Sequence, residues 1–467
     1  MHAIGATGWL SASIVFVLLA IALNYRHRPK NSYILLLLYS LPFMAASIES
    51  LGILTIDQIK YACEAIIVAL FGYLLLKKKK SVRLIGYIYI ALFIVVVIIS
   101  TVINRTSIIK CLLFLRITLI PVLFFWYVVN DFNINDFISM DMLVNALLIS
   151  QIPASIVKFI MIGTAEPYIG TISILGGSTT LIVALLGVTI ATYEYLVKRK
   201  AKYIFIFLGY VAFVSIGEKR AGIVLIPAVS VFIYFLIMSK IKLAIILKRL
   251  PIYLLIVAVS IYAIGSIIPS LNPDRKVGGK FDLNYFTNWV NRYLFPSYPI
   301  KGSYYHGRGQ APIGFYNLMK SSEESNILFG YGPGELVTSR YLDYGLPWVK
   351  SSEDLMLYKF DVGYGGRTGF IWLGLQLGLF GSLILIMFYL RLFVEIFKLY
   401  KKRLYPSKSL VCALVFFTIF FIDYFTYSKT LFERHAVIIP FLSYIAWAYK
   451  EIQVNNYAPF SHTEKGK

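Results

Sequence analysis

Residues 77–103 read KKKKSVRLIGYIYIALFIVVVIISTVI. From Leu84 to Ile103 no residue is charged, and the run has the roughly 20 mostly apolar residues that a helix needs to cross bilayer hydrocarbon. Lys77 to Lys80, with Arg83, crowd one end of it, as in loops kept on the cytoplasmic face. The stretch reads as a membrane helix entered from the cytoplasm.

Outward from this helix the pattern repeats. Hydrophobic residues make up 58% of the 467, against 15% charged, and the mean hydropathy is +0.73. No ordinary water-soluble domain sustains that balance. Apolar spans are expected near 8–24, 32–55, 59–76, 84–103, 107–130, 137–163, 170–196, 203–217, 221–238, 251–268, 367–397, 409–427 and 436–449, roughly thirteen helices in all. The first, Trp9 to Leu23, has no basic lead-in and is followed by further spans, so it reads as a membrane helix and not a cleaved signal peptide. Spans 32–55 and 367–397 are long enough to be tilted, broken or partly interfacial.

A net charge of +22 would point a soluble protein toward nucleic acid, but loop sidedness accounts for most of it. Arg26, Arg28 and Lys30; Lys77 to Lys80 with Arg83; Lys198, Arg199, Lys200 and Lys202; Lys240, Lys242, Lys248 and Arg249; and Lys401, Lys402 and Arg403 all fall on one side, the cytoplasm. The connections near Thr55, Asn104, Glu166 and Glu218 carry few bases, and loop 131–136 carries none. The N-terminus then lies outside, the C-terminal tail inside, and no nucleic-acid partner is expected. The chain divides into N-terminal spans (1–268), a large extracytoplasmic loop (269–366), C-terminal spans (367–450) and a cytoplasmic tail (451–467). Cys63, Cys111 and Cys412 lie in apolar stretches without CxxC or Cys/His spacing, which reads as packing. Five histidines with no ligand spacing leave a metal site unexpected. No solenoid-period repeat or heptad run is present, and the only low-complexity segment is a polar tail after Asn455.

Ionisable side chains in membrane spans are costly unless paired or facing water. Glu49, Glu64, Lys110, Arg116, Lys158 and Asp423 are therefore functional candidates, with snorkelling or structural pairing as the alternative. Ser215-Ile216-Gly217-Glu218-Lys219-Arg220-Ala221-Gly222 puts three charges in a tight turn between two apolar helices. If Arg220 opens the second helix, free N–H groups and the helix dipole beside it favour an anion such as phosphate; a Glu218 pair in a simple turn is the competing reading.

In the loop, Leu328-Phe329-Gly330-Tyr331-Gly332-Pro333-Gly334-Glu335 allows close backbone approach to a ligand or a tight chain reversal, through Gly330, Gly332 and Gly334. Tyr304-Tyr305-His306-Gly307-Arg308 offers an imidazole and a fixed cation among aromatics. Gly363 to Gly369 leads into Phe370-Ile371-Trp372-Leu373-Gly374-Leu375-Gln376-Leu377-Gly378-Leu379-Phe380-Gly381, a glycine-notched helix re-entering the membrane, with Arg367 at the water-lipid boundary.

In their order, Lys219-Arg220-Ala221-Gly222 opening a helix, a large late external loop, LFGYGPG within it and Leu373 to Gly381 after it resemble the bacterial O-antigen polymerase and ligase superfamily, the Wzy and WaaL type proteins. The resemblance covers about half the chain. It implies an all-α polytopic, GT-C-like fold of roughly 12–14 transmembrane helices in the bacterial cytoplasmic (inner) membrane. It also implies a metal-independent glycosyltransferase that needs no nucleotide sugar and no cofactor. The substrates would be oligosaccharides linked through pyrophosphate to undecaprenol, with a chain-length regulator and a flippase as partners. An acceptor hydroxyl attacks the donor's anomeric carbon and the lipid pyrophosphate leaves, its charge gathered by cations. Arg220 and Arg308 take that role, with Lys219, Arg116 and Arg367 and the loop glycines Gly330, Gly332 and Gly334 completing the substrate contacts.

One departure separates two members of that superfamily. Its ligases resemble one another in a His-Asn/Ser pair just before the glycine-notched helix. Here the stretch reads Asp361-Val362-Gly363-Tyr364-Gly365-Gly366-Arg367-Thr368, without histidine. The polymerase reading is favoured over the ligase reading, and the general base stays open among His306, Asp361 and Glu353. A lipid-linked oligosaccharide flippase or transporter is the rival of another class, although the large loop and the lack of two matching halves weigh against it. A structural assembly partner is the third.

Overall fold

With no water in hydrocarbon, each apolar run must satisfy its own backbone N–H and C=O groups, which makes it a helix. In the computed structural model the described residues are 32–77, 82–162, 170–172, 178–217, 219–238, 278–294, 309–337, 368–403 and 405–457, with a few isolated positions between. Every regular element among them is helical. The helices are α1 (Ser32–Ser40), α2 (Ala45–Ser50), α3 (Ile56–Lys77), α4 (Tyr87–Ile103), α5 (Ile108–Asp131), α6 (Ile134–Ile162), α7 (Ser178–Lys198), α8 (Lys202–Ile216) and α9 (Gly222–Met238). After these come α10 (Leu283–Leu294), α11 (Gln310–Ser321), α12 (Glu324–Phe329), α13 (Gly369–Lys402), α14 (Lys408–Ile422), α15 (Thr430–Glu433) and α16 (His435–Tyr457).

Among the described residues, six helices are long and apolar enough to cross a membrane: α3, α5, α6, α7, α13, and α14 with the π-helical turn Asp423–Tyr427 that continues it. Shorter apolar helices accompany them, among them α4 and α8. The expected spans 8–24 and 251–268 lie outside the described residues. Span 32–55 is broken: Pro42, with its fixed φ and missing N–H, sits in a 3-10 turn, Leu41–Met44, between α1 and α2. Within the expected loop 269–366, α10, α11 and α12 take up part of the chain.

Burial sorts the helices. α14 is apolar all round, and Leu410, Val411, Cys412, Ala413, Leu414, Val415, Phe416 and Phe417 are all buried, as befits a helix at the centre of the bundle. α4 instead turns Ile88, Leu92, Val95, Ile99 and Val102 outward, one helical stripe suited to lipid. Because lipid is as apolar as the side chains, close packing holds the helices together. Gly187 of α7 lies against the Tyr210 ring of α8, where a Cβ would collide with it.

The bundle has two chemically distinct ends. At one, Asn130 accepts from Arg83 N–H at 2.9 Å, Arg403 pairs with Glu451 at 2.8 Å, and Lys408 bridges Asp141 at 2.8 Å and Glu194 at 2.7 Å. At the other, α3, α5, α7, α9, α13 and α16 begin, and the segment 309–337 packs there.

Candidate functional site

The glycine-rich turn after α12 is clamped onto a break in α13. Gly378 has φ 63° and ψ −160°, a conformation reserved for glycine, and it interrupts the helix. The carbonyls that the break deprives of helical partners are taken up by the turn: Tyr331 N–H donates to Leu375 O at 2.8 Å and Gly332 N–H to Gln376 O at 3.1 Å. The Gln376 side chain accepts from Gly334 N–H at 2.9 Å. From α4, Ser100 Oγ donates to Phe329 O at 2.7 Å and Asn104 Nδ2 to Gly330 O at 3.1 Å. Gly330, Gly332 and Gly334 have φ of 72°, 114° and 88°. The space a Cβ would need is filled at Gly330 by Gln376 backbone, at Gly332 by Thr106 and at Gly334 by Lys110 backbone. Of the two uses open to these glycines in sequence, chain reversal against helices accounts for their conformation.

Glu335, next in the chain, pairs with Lys110 of α5 at 2.6 Å and with Lys359. Burial alone would raise its carboxyl; hydrogen bonds from the two ammonium groups outweigh burial and hold it below the usual carboxylate range.

Two turns deeper along α5, Arg116 enters a second ionic group. Its Nε lies 3.3 Å from Glu64 of α3, and its guanidinium stands 4.6 Å from the Tyr61 ring centroid. His435, where α16 begins, places Nε2 3.8 Å from the same Glu64 carboxylate. Lys429 is buried, pairs with Glu433 at 2.9 Å and sits 5.2 Å from the Trp372 ring of α13. Lys60, one turn before Glu64, is within electrostatic reach of Glu433, Glu64, Arg116 and Arg434. Lys60, Arg116, Lys429 and Arg434 thus gather around Glu64 and Glu433, with the Asp423 carboxylate bound to Thr430 and Leu431 beside Lys429. Cations gathered this closely, buried or partly buried, suit an anion from outside the chain.

The structure scatters the remaining sequence candidates. Lys219 is buried and Arg220 half-buried in the turn before α9, which begins at Gly222, so Arg220 precedes the helix instead of opening it. Asp423, 1% exposed, accepts from Leu431 N–H and Thr430 Oγ1, both at 3.4 Å, which ties the π-helical turn to α15. His306, Arg308, Glu353, Asp361 and Arg367 lie outside the described residues. Lys60, Lys429, Glu433, Arg434 and His435 are the residues that sequence reasoning missed. Their signal was present: Lys60-x-x-x-Glu64 puts opposite charges on one helical face, and Glu433-Arg434-His435 is an ionic run beside an apolar span. Among the described residues no group of His, Cys, Asp and Glu could hold a metal ion.

Compared with known proteins, the chain matches no family model, no curated protein and no solved structure.

Proposed function

We propose that this chain is an integral membrane glycosyltransferase that polymerises lipid-pyrophosphate-linked glycans of a bacterial surface polysaccharide, with the loop-bearing end of its bundle facing away from the cytoplasm. The observation that carries this reading is the gathering of four cations, Lys60, Arg116, Lys429 and Arg434, around Glu64 and Glu433, at the end of the bundle where the loop docks. A leaving pyrophosphate develops negative charge as the bond from the anomeric carbon breaks, and fixed cations in a partly dry site stabilise that charge most effectively. Arg116 also brings the bidentate fork that suits phosphate oxygens.

In the reaction the acceptor hydroxyl oxygen bonds to the donor's anomeric carbon. The carbon–oxygen bond to pyrophosphate breaks, and the lipid pyrophosphate departs with the electron pair. The hydroxyl proton needs an acceptor, and in this cluster the His435 imidazole beside Glu64 has that chemistry. The clamp of Gly330 to Glu335 supports the reading from the other side, because it anchors part of the loop within reach of α5, which carries Arg116.

The test is to incubate the purified protein in detergent with a lipid-pyrophosphate-linked repeat unit. A ladder of longer glycans is the expected result. Transfer to a different lipid acceptor instead would mean a ligase, and transbilayer movement in vesicles without transfer would mean a flippase; either result overturns the polymerase reading.

A further inference from the structure

At the opposite end of the bundle, on the side of the basic loops, α6, α7 and α8 part to leave a cleft of about 530 Å3. It is far in the fold from the ionic cluster around Glu64, and a ligand held there does not depend on glycan transfer. The body of the cleft is largely apolar, lined by Ala146, Ile149, Pro153, Ile206 and Tyr210, with Ser150 among them. From Lys202 at its mouth to Tyr210 is eight residues of α8, about 12 Å of helix, close to the ~15 Å hydrocarbon depth of one leaflet.

The mouth is basic. Lys198 and Lys202 converge on Tyr203, with ammonium groups 5.8 and 5.0 Å from its ring centroid. Arg199, at φ 53°, turns the chain so that the basic run 198–202 stays at one corner. Two carboxylates also line the cleft, Asp141 and Glu194, but Lys408 bridges both and Lys198 adds a 2.5 Å contact to Glu194. The acids are thus answered within the protein, and the corner keeps an excess of positive charge.

We propose that this cleft binds one anionic glycerophospholipid, its phosphate at Lys202 and the neighbouring basic residues and one acyl chain along the apolar wall toward Tyr210. Charge complementarity selects the head group and depth selects a chain. A basic pocket between helices at the charged end of a membrane bundle is suited to such a lipid. A free phosphate would find the same ammonium groups but would leave the apolar wall uncovered.

The experiment uses the full chain in mild detergent. Dioleoyl-phosphatidylglycerol or dioleoyl-phosphatidylcholine is added in molar excess, and retained lipid is counted by native mass spectrometry. The wild type should retain one phosphatidylglycerol in preference to phosphatidylcholine. Lys202→Glu should lower that retention about tenfold, and Ala146→Trp, which fills the cleft, should abolish it at an unchanged melting temperature. Should Ala146→Trp fail to fold, Lys202→Glu at the surface carries the test alone. Equal retention of the two lipids, unchanged retention in Lys202→Glu, or displacement of phosphatidylglycerol by inorganic phosphate alone would overturn the proposal.

Discussion

Gly378 in the long helix α13 and Gly330 in the external turn meet back to back: a Cβ on Gly378 would lie 2.6 Å from Gly330 N, and one on Gly330 would lie 2.6 Å from Gln376 O. Each also holds a backbone conformation, φ 63° with ψ −160° and φ 72° with ψ −169°, that only glycine adopts without strain.

Gly378→Ala or Gly330→Ala should therefore release the turn from the helix, at about 1–3 kcal/mol for the backbone strain alone. Limited proteolysis between α11 and α13 should speed up accordingly, with a lower melting temperature. Gly314→Ala is the control, since Gly314 lies inside α11 with open space around it; it should stabilise by up to about 1 kcal/mol. Equal protease resistance of all three variants would count against the clamp.

Glu335 makes the same clamp sensitive to acid. Its carboxyl is held below its ordinary value of 4.5 by Lys110 and Lys359. A depressed pKa contributes stability that is fully present above the ordinary value and is lost as pH falls through the lower, folded value. Protease resistance of the loop should thus fall on acidification below about pH 4.5 in the wild type. In Glu335→Gln it should be lower throughout and nearly flat over that window. A wild-type profile as flat as that of the variant would exclude Glu335 as the pH-sensitive group.

These relationships show what the chain made legible. Apolar run length marked the helices among the described residues, and the length of span 367–397 allowed for a break, because both are local properties; the glycine notch read as a packing surface and did not point to a break at Gly378. The partner of the notch was not legible: Tyr331 and Leu375 are joined by a hydrogen bond across a long stretch of chain, and no spacing rule reaches that far. Arg116 and Glu64 each stood out as intramembrane charges, yet their pairing at 3.3 Å depends on how α3 packs on α5. Lys60 was overlooked because a lysine one turn from a helix start reads as a snorkelling residue. Lys429 to His435 fell in a connection too short to read as a site.

Lys408, its side chain 12% exposed, bridges two carboxylates, Asp141 and Glu194, so its removal should be worse than the loss of one ion pair. Lys408→Met takes from Asp141 its ion pair and leaves Glu194 to the half-exposed Lys198, in a setting of low dielectric, with an expected loss of about 3–5 kcal/mol. Adding Asp141→Asn and Glu194→Gln to Lys408→Met should recover much of that loss, since no uncompensated charge remains. Thermal unfolding in detergent, followed by fluorescence-detected size exclusion, reads both effects. A triple variant as unstable as the single one would show that Lys408 acts through packing and not through charge.

The strongest demand falls on Arg116 and Lys60, which the proposed function assigns to the lipid pyrophosphate. Arg116→Ala should lower glycan polymerisation a hundredfold or more, about 3–4 kcal/mol of transition-state stabilisation. Lys60→Ala should act in the same direction but less, because a point charge gives no bidentate contact. Arg116→Lys should rescue only in part, for the same reason. Because Arg116 also pairs with Glu64, a structural role must be told apart from a catalytic one. Arg116→Ala combined with Glu64→Gln removes both members of the pair and should restore the melting temperature without restoring turnover. If turnover returns together with stability, Arg116 serves the fold, and the diphosphate is held elsewhere, with Arg220 and Arg308 next to be replaced.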